Sequence, residues 1–315
     1  MSVNSVKVSI AMCTFNGERF IREQLDSIVN QTYSDLEIII CDDGSNDGTC
    51  DIVRDYAGRD SRIRFVQNTE NLGFIGNFEK ALSMCSGVFI ALADQDDVWL
   101  PQKIEVLMSE IGDNLLLYSA VRLIDENGAG MDKVFPSVKR LEGDVALSLI
   151  VGNCVTGHAC LIRRELLELA LPFPGNVLAH DQWLAVVAAS QGKLKASEQV
   201  LSLYRQHETN AILSNKAPRK VPRYVKKLES DVKMLGLVNS MLDSGLFSAE
   251  QEVLLQAFRD LIQANSRAFY NAKLARFLKS HRQDFLALFD TEEKADKMVK
   301  KLCRGKWYLK LLPFS

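Results

Sequence analysis

Four short apolar runs, separated by stretches with helical spacing, organise the first hundred residues. Val6–Cys13 predicts a strand, and Gly17–Asn30, with Phe20, Leu25, Ile28 and Val29 recurring on one side, a helix. Leu36–Cys41 predicts the second strand, followed by a helix to about Ala57 capped by Asp47 or Ser45. Ile63–Gln67 is a third strand, Ile75–Met84 a helix and Val88–Ala93 a fourth strand. Strands alternating with helices at this spacing imply a right-handed, doubly wound parallel α/β sheet. Further on the pattern loosens. It predicts a helix over 102–111 opened by Pro101, a strand over Leu115–Ile124 and a turn at Asn127-Gly128. A strand around His158–Ile162, a helix from Asp181 to Ser190 and strand structure over Lys193–Tyr204 follow. After Asn215 the pattern is helical, roughly over 218–242, 249–279 and 291–303. Ser214, Asn215 and Pro218 break the periodicity, so the boundary is expected near 212–218, dividing the chain into a domain over 1–214 and a basic helical region over 215–315.

In an open α/β sheet, ligands bind beyond the carboxyl ends of the strands, so the loops there carry the chemistry. The fourth strand runs straight into Asp94-Gln95-Asp96-Asp97 and then Trp99. Asp94 and Asp96, two apart where the strand becomes a loop, can face one point. Such an acidic tip either holds a divalent cation, Mg²⁺ or Mn²⁺ with phosphate oxygens completing the shell, or is simply solvated. The loop after the first strand, Thr14-Phe15-Asn16-Gly17, is not a Gly-x-Gly-x-x-Gly, which removes the main support for a dinucleotide-binding reading. No Walker-type loop is present, and a sugar-nucleotide-forming nucleotidyltransferase would need a Gly-rich basic loop at this place. After the second strand comes Asp42-Asp43-Gly44-Ser45-Asn46-Asp47-Gly48-Thr49, either a site for a base or ribose or a helix-capping turn. The third loop is Asn68-Thr69-Glu70-Asn71-Leu72-Gly73.

Composition narrows the class further. With 315 residues, 47% apolar and 25% charged, the chain has the make-up of an ordinary soluble globular protein. The first eight residues carry no secretory pattern, no apolar run is long enough to span a membrane, and seven cysteines without metal-like spacing read as buried reduced thiols. All three point to the cytoplasm. The net charge of −2 hides an asymmetry: residues 1–210 hold 18 Lys and Arg against 29 Asp and Glu, residues 211–315 hold 20 against 11. A basic tail on an acidic body calls for an anionic partner. Without interleaved aromatics or a recognition motif, that partner is not nucleic acid.

Taken in order, Val8-Ser9-Ile10 with Thr14-Phe15-Asn16, Gln31-Thr32-Tyr33, Asp42 to Thr49, Asn71-Leu72-Gly73 and Asp94-Gln95-Asp96-Asp97 resemble the inverting family 2 glycosyltransferases of the GT-A fold. His180-Asp181-Gln182-Trp183 and Tyr204-Arg205-Gln206-His207 resemble its rhamnosyltransferase-like branch, and the likeness covers roughly residues 6–210. The resemblance implies a Rossmann-like mixed sheet flanked by helices, with a helical appendage. It implies transfer of a sugar, rhamnose from dTDP-rhamnose before a UDP-sugar, to a glycan or polyprenyl-diphosphate-linked acceptor in bacterial surface polysaccharide synthesis. A catalytically silent binding protein of the same fold is the rival from another class.

The resemblance also assigns roles. Thr14, Phe15, Asn16, Asp42, Asp43, Asn71, Gly73, Asp94 and Gln95 would bind the donor, with Asp43 accepting from the pyrimidine N–H. Asp96 would hold the metal bridging the two phosphates, joined by His207 unless that residue is structural. Arg205 would pair with a phosphate or with an acid of the body. Asp181 would be the base that takes the acceptor hydroxyl proton; the alternative is a helix N-cap or macrodipole partner. Many relatives carry Glu-Asp where this chain has His180-Asp181, so His180 would orient the carboxylate or pack. Gly152 to His158, including Gly157, resembles the acceptor-side segment, or is a tight turn. Trp99 and Trp183 are sugar platforms or buried supports. The cations over 216–227 and the cationic, aromatic segment over 300–315 read as an anchor to the inner face of the cell membrane or as a dimerisation module.

Overall fold

The computed structural model describes residues 6–208, 222–265 and 268–305. Strands β1 (Val8–Thr14), β2 (Leu36–Asp42), β3 (Ile63–Gln67) and β4 (Phe89–Ala93) alternate with helices α1 (Ile21–Val29), α2 (Thr49–Arg59) and α3 (Gly73–Met84). They form a parallel half-sheet in the order β3-β2-β1-β4. Both faces are covered, and the side chains alternate accordingly. Ile38 and Ile40 of β2 pack with Ile21, Leu25 and Ile52, whereas Ile39 and Cys41 pack with Phe78 and Leu82. The order reverses at β1, so the loops after β1 and β4 leave the carboxyl edge in opposite directions and open a crevice between them.

The second half of the sheet supplies the antiparallel strands of the mixed sheet that the resemblance implies. β5 (Val98–Trp99) and α4 (Lys103–Glu110) are followed by β6 (Leu116–Ile124), β7 (Gly130–Phe135), α5 (Ser148–Val151), a 3-10 turn (Gly157–Ala159) and β8 (Cys160–Arg163). α6 (Glu165–Ala170), α7 (His180–Ser190) and β9 (Leu194–Arg205) complete it. β8 inserts antiparallel between β4 and β6, with Ala91 opposite Leu161 and Tyr118 opposite Cys160. β9 runs parallel to β6, and the two-residue β5 pairs antiparallel with its end, Val98 opposite Leu203. The sheet is therefore mixed, order β3-β2-β1-β4-β8-β6-β9-β5, with β7 hung on β6. The β5–β9 pairing delivers the residues after β9 to the acidic loop after β4.

Among the described residues five helices follow: α8 (Arg223–Asp243), α9 (Ala249–Ala264), α10 (Ala272–Ser280), α11 (Arg282–Phe285) and α12 (Glu292–Cys303). The expected single helix over 249–279 is two. Asn271 caps the second by accepting from the Leu274 N–H at 2.9 Å, and its amide donates to Leu261 O at 2.8 Å. The Asn265 amide donates to Leu302 O at 2.8 Å, tying the break to α12. Side-chain hydrogen bonds thus replace the helical ladder that apolar spacing alone would continue. α9 opens with a reciprocal capping box between Ser248 and Gln251. One apolar cluster joins Leu149, Ile150 and Trp183 to Met234, Leu237, Phe258, Leu288 and Leu302, so the helices are packed against the sheet-bearing body. The expected boundary at 212–218 and the segment 306–315 lie outside the described residues, as does half of 216–227. Among the described residues no helix is long and apolar enough to cross a membrane. All seven cysteines are unpaired thiols.

Candidate active site

The four loops at the carboxyl edge meet around a cleft of about 640 Å³, lined by Thr14, Phe15, Asn16, Asp43, Asn71, Gly73, Asp94, Gln95, Asp96, Tyr204 and His207 among others. That volume suits a ligand of nucleotide size. The loops are locked to one another by side chains. Gln95 accepts from the Phe15 N–H at 2.8 Å and donates to Phe15 O at 3.0 Å, joining the β4 and β1 loops. Asn16, the one described non-glycine residue with positive φ, accepts from the Asn46 N–H at 3.0 Å while its own N–H donates to Ser45 Oγ at 2.8 Å. A Cβ on Gly17 would collide with the Gln95 carboxamide. Gly17→Ala is therefore expected to break the Gln95–Phe15 clamp and cost about 1–3 kcal/mol of stability, read as a lowered urea midpoint; an unchanged midpoint would show that the clamp is dispensable.

Asp42 and Asp43 divide the labour between folding and binding. Asp42 is fully buried. It accepts from Thr14 Oγ1 at 2.8 Å, the Gly44 and Ser45 N–H groups at 3.1 and 2.9 Å and Ser45 Oγ at 2.5 Å, with Cys50 Sγ at 3.2 Å. Asp42, expected to bind donor, thus folds the loop, and the Thr14 hydroxyl is spent on it. Asp43 lines the cleft. Its Oδ1 accepts from Asn68 Nδ2 at 2.9 Å and the Leu72 N–H at 2.7 Å, and Oδ2 takes no hydrogen bond among the described residues. Asn71 Nδ2 donates to Asp43 O at 2.9 Å, so the third loop holds the second in place. The α2 N-cap is Gly48 rather than Asp47 or Ser45. Asp47 sits one residue earlier and accepts from the Thr49 N–H at 3.0 Å.

The acidic tip separates into two groups. Asp96 faces the cleft with Oδ2 2.8 Å from His207 Nε2, and the His207 ring lies 4.6 Å from Phe20. Burial pushes Asp96 up to about 6, with the Asp97 and Asp94 charges adding and the His207 hydrogen bond opposing. Behind it, away from the cleft, Asp97 and His158 are buried, His158 Nδ1 lying 2.8 Å from Asp97 Oδ2 and 3.4 Å from Asp94 Oδ2. Burial works against a charged His158, but Asp97 and Asp94 outweigh it and raise the imidazole to about 9. Asp94 moves the other way. Burial raises it, yet the hydrogen bond and charge of His158 hold it below the ordinary carboxylate range. Lys103, fully buried, donates to His158 O and lies 3.5 Å over the Trp99 ring. Ligand atoms of Asp94, Asp97 and His158 fall within 4.8 Å of one another, a donor set of the kind that holds an ion. At neutral pH a protonated His158 already supplies the cation there. The set that fits a divalent ion in the cleft is Asp96 with His207, carboxylate and imidazole together suiting Mn²⁺.

Several expected contacts lie elsewhere. Arg205 is buried. Its backbone N–H donates to Asp97 Oδ1 at 3.0 Å, Nε donates to Asp96 O at 2.9 Å, and its guanidinium pairs with Glu23 at 2.5 Å. The alternative of pairing with a body acid is the one realised: Arg205 braces the acidic loop instead of reaching a phosphate. Trp99 and Trp183 are each 2% exposed, the Trp183 indole donating to Ala170 O at 3.0 Å, so neither offers a face to a sugar. The exposed aromatic faces at the cleft are Phe15 and Phe74. His158 is likewise sealed in, as counter-charge rather than acceptor contact.

Asp181 sits in the first turn of α7, whose N-cap is Ala179, so it is not the cap. Its Oδ1 accepts from the Gln182 N–H at 2.6 Å and Asn153 Nδ2 at 3.3 Å; its Oδ2 accepts from the Gly157 N–H at 3.2 Å. Burial raises Asp181 above the ordinary carboxylate range, Asp94 adding and the Gln182 and Gly157 hydrogen bonds opposing. His180 stacks on Phe78, a wall of the cleft, with centroids 4.0 Å apart, and burial lowers its pKa. A Cβ at Gly157 would stand 2.9 Å from His180 Nε2, so glycine there lets α7 start against the 3-10 turn. Asp181 is near enough to Asp94 to feel its charge. Asp97 and Asn153, which have no expected role of their own, belong to the Asp94–Asp97 and Gly152–His158 motifs, while Glu23 carries no signal in the sequence.

The mixed sheet, the strand-order reversal and the acidic tip at its carboxyl edge define a GT-A-type α/β transferase fold. The model of the family described as "Glycosyl transferase family 2" matches residues 9–169, and the chain belongs to that family. A Haemophilus influenzae protein named as an uncharacterized glycosyltransferase is 28% identical over 96% of this chain and 98% of its own. The Escherichia coli UDP-Glc:alpha-D-GlcNAc-diphosphoundecaprenol beta-1,3-glucosyltransferase WfgD is 29% identical over 66% of this chain and 80% of its own. In fold the chain is similar to Staphylococcus aureus TarS 1-349 in complex with UDP-GlcNAc, with TM-score 0.61, 18% identity and coverage of 93% and 83%. It is also similar to the Pyrobaculum calidifontis mannosyltransferase PcManGT in complex with GDP-Man and Mn²⁺, with TM-score 0.55, 18% identity and coverage of 98% and 87%.

Proposed function

We propose that the protein transfers a sugar with inversion from a pyrimidine nucleoside diphosphate to a lipid-linked glycan acceptor, with Asp181 as base and a divalent ion at Asp96. What supports this reading is the carboxylate of Asp96 in the donor cleft together with the hydrogen-bonded carboxylate of Asp181, which the Asp94 charge reaches and whose neighbour His180 stacks on the cleft wall Phe78. The pyrimidine ring N–H donates to the open Oδ2 of Asp43, and Phe15 and Phe74 are placed to stack on the base. Asp94 takes a ribose or sugar hydroxyl. Asp181 removes the acceptor hydroxyl proton as that oxygen bonds to the anomeric carbon. The bond from that carbon to the β-phosphate oxygen breaks, and its electron pair leaves with the nucleoside diphosphate. No covalent intermediate is needed, as in inverting glycosidases. Asp96 and His207 would hold the ion, which supplies charge neutralisation of the leaving diphosphate. The likeness of His180 to Trp183 to the rhamnosyltransferase-like branch supports dTDP-rhamnose as donor. The UDP-glucose in the name of WfgD supports a UDP-hexose instead. The acceptor named there supports a polyprenyl-diphosphate glycan and placement at the inner face of the cell membrane. The helical region over 215–315 is then a membrane-associating or dimerising unit.

A donor-hydrolysis screen over dTDP-, UDP- and GDP-sugars with and without Mn²⁺ tests the reading. Turnover with a pyrimidine donor and its collapse on metal removal are expected, and preference for the GDP-sugar or metal-independent turnover would refute it. Proton binding at Asp96 makes a further demand. Because its pKa stands near 6, a proton competes with the ion below that pH. Mn²⁺ affinity measured by electron paramagnetic resonance without nucleotide should fall about tenfold per pH unit below 6. A flat profile from pH 7 to 5 would place the ion elsewhere.

A further inference from the structure

A second concavity, of about 330 Å³, lies where the first turn of α7 and the end of α5 meet α8 and α12. Ile150, Met234 and Leu302 are among its apolar lining, Lys233 of α8, Lys301 of α12, Gln182, Ser230 and Asn176 supply its polar groups, and no carboxylate is among its described lining residues. On the same helices Lys227 pairs with Asp231, Lys294 with Asp290 at 2.9 Å and Lys297 with Glu293 at 2.7 Å, while Lys226 and Lys300, outside the groove, are in no ion pair among the described residues. Lys233 and Lys301 have no ion-pair partner among the described residues. Two unpaired cations over an apolar trough match a ligand that joins a polyanionic head to a hydrocarbon chain.

The groove shares both its walls with Asp181. Gly152 lines it, and the next residue, Asn153, donates to Asp181. Ala179 and Gln182 line it, and they bracket His180 and Asp181. A ligand seated there lies beside the two segments that hold Asp181. We propose that this groove binds the diphosphate and first isoprenoid units of the acceptor, with Lys233 and Lys301 on the phosphates. The proposal rests on the reading of a lipid-linked acceptor given above, and it assigns that acceptor a place.

Farnesyl diphosphate is the probe, titrated by calorimetry into the full chain saturated with UDP and Mn²⁺. Farnesyl diphosphate is expected to bind without displacing UDP, farnesol to bind at least tenfold more weakly, and the K233E/K301E double variant to lose at least tenfold in affinity for the diphosphate. The milder K233Q/K301Q pair should show a smaller loss of the same kind, and UDP affinity, unchanged in both, reports that the fold is intact. Competition between farnesyl diphosphate and UDP, or equal affinity in the charge-reversed variant, would overturn the groove. So would a loss confined to phosphatidylglycerol vesicles, which would assign the lysines to bulk lipid. Failure of UDP itself to bind would instead refute the donor reading, and the farnesyl diphosphate titration would still decide the groove.

Discussion

Asp181→Asn is expected to reduce glycosyl transfer by about 10²–10⁴-fold, roughly 3 to 6 kcal/mol at about 1.4 kcal/mol per decade, with UDP affinity unchanged. The asparagine keeps the shape, but its one amide oxygen can accept from only one of the Gly157 and Gln182 N–H groups, so the UDP affinity is needed to separate proton removal from packing. Single-turnover transfer and UDP binding, measured side by side, check it. Transfer within tenfold of the parent would remove Asp181 from the base role, and a parallel collapse of UDP affinity would mean the substitution damaged the cleft. Because Asp181 is raised above the usual carboxylate range by burial, the transfer rate in the parent should decline on the acid side as the carboxylate protonates.

Asp96→Ala is expected to abolish metal-stimulated turnover, a loss of several kcal/mol of charge stabilisation on the leaving diphosphate. Its second effect is structural and opposite in sign. Asp96 is buried among Asp94 and Asp97, and removing one carboxylate relieves that repulsion. The apo form of the variant should therefore melt no lower than the parent above pH 6, where Asp96 is ionised, although its backbone carbonyl still accepts from Arg205. Calorimetric melting with and without Mn²⁺ reads both. A variant that still gains stability from Mn²⁺ as the parent does would move the ion to the Asp94, Asp97 and His158 set.

The parallel half of the fold was legible because β1, β2 and β4 are largely apolar runs buried on both faces, and each strand there ends in a polar loop. Local pattern and tertiary environment agree at these positions. Where they diverge, so did the reading. The two-residue β5 is too short to carry a period, yet its pairing with β9 brings His207 to Asp96. Nothing local marks β8 as antiparallel. Trp99, Trp183 and Arg205 are of residue types common at sugar and phosphate sites, but helices and loops far away in sequence bury all three. Asp42 and Asp43 are adjacent and identical in kind; only the turn geometry decides that one folds the loop and the other faces the cleft. The charged imidazole of His158 between two aspartates is a purely tertiary arrangement, joining residues more than sixty apart.

Anomalous diffraction from crystals grown with UDP and Mn²⁺ tests the account most directly. The manganese peak should lie within coordination distance of Asp96 and the diphosphate, with the uracil N–H on Asp43 and the Asp181 carboxylate facing the β-phosphate side of the cleft. A peak on Asp97 and His158, or UDP bound with no ion near Asp96, would contradict it.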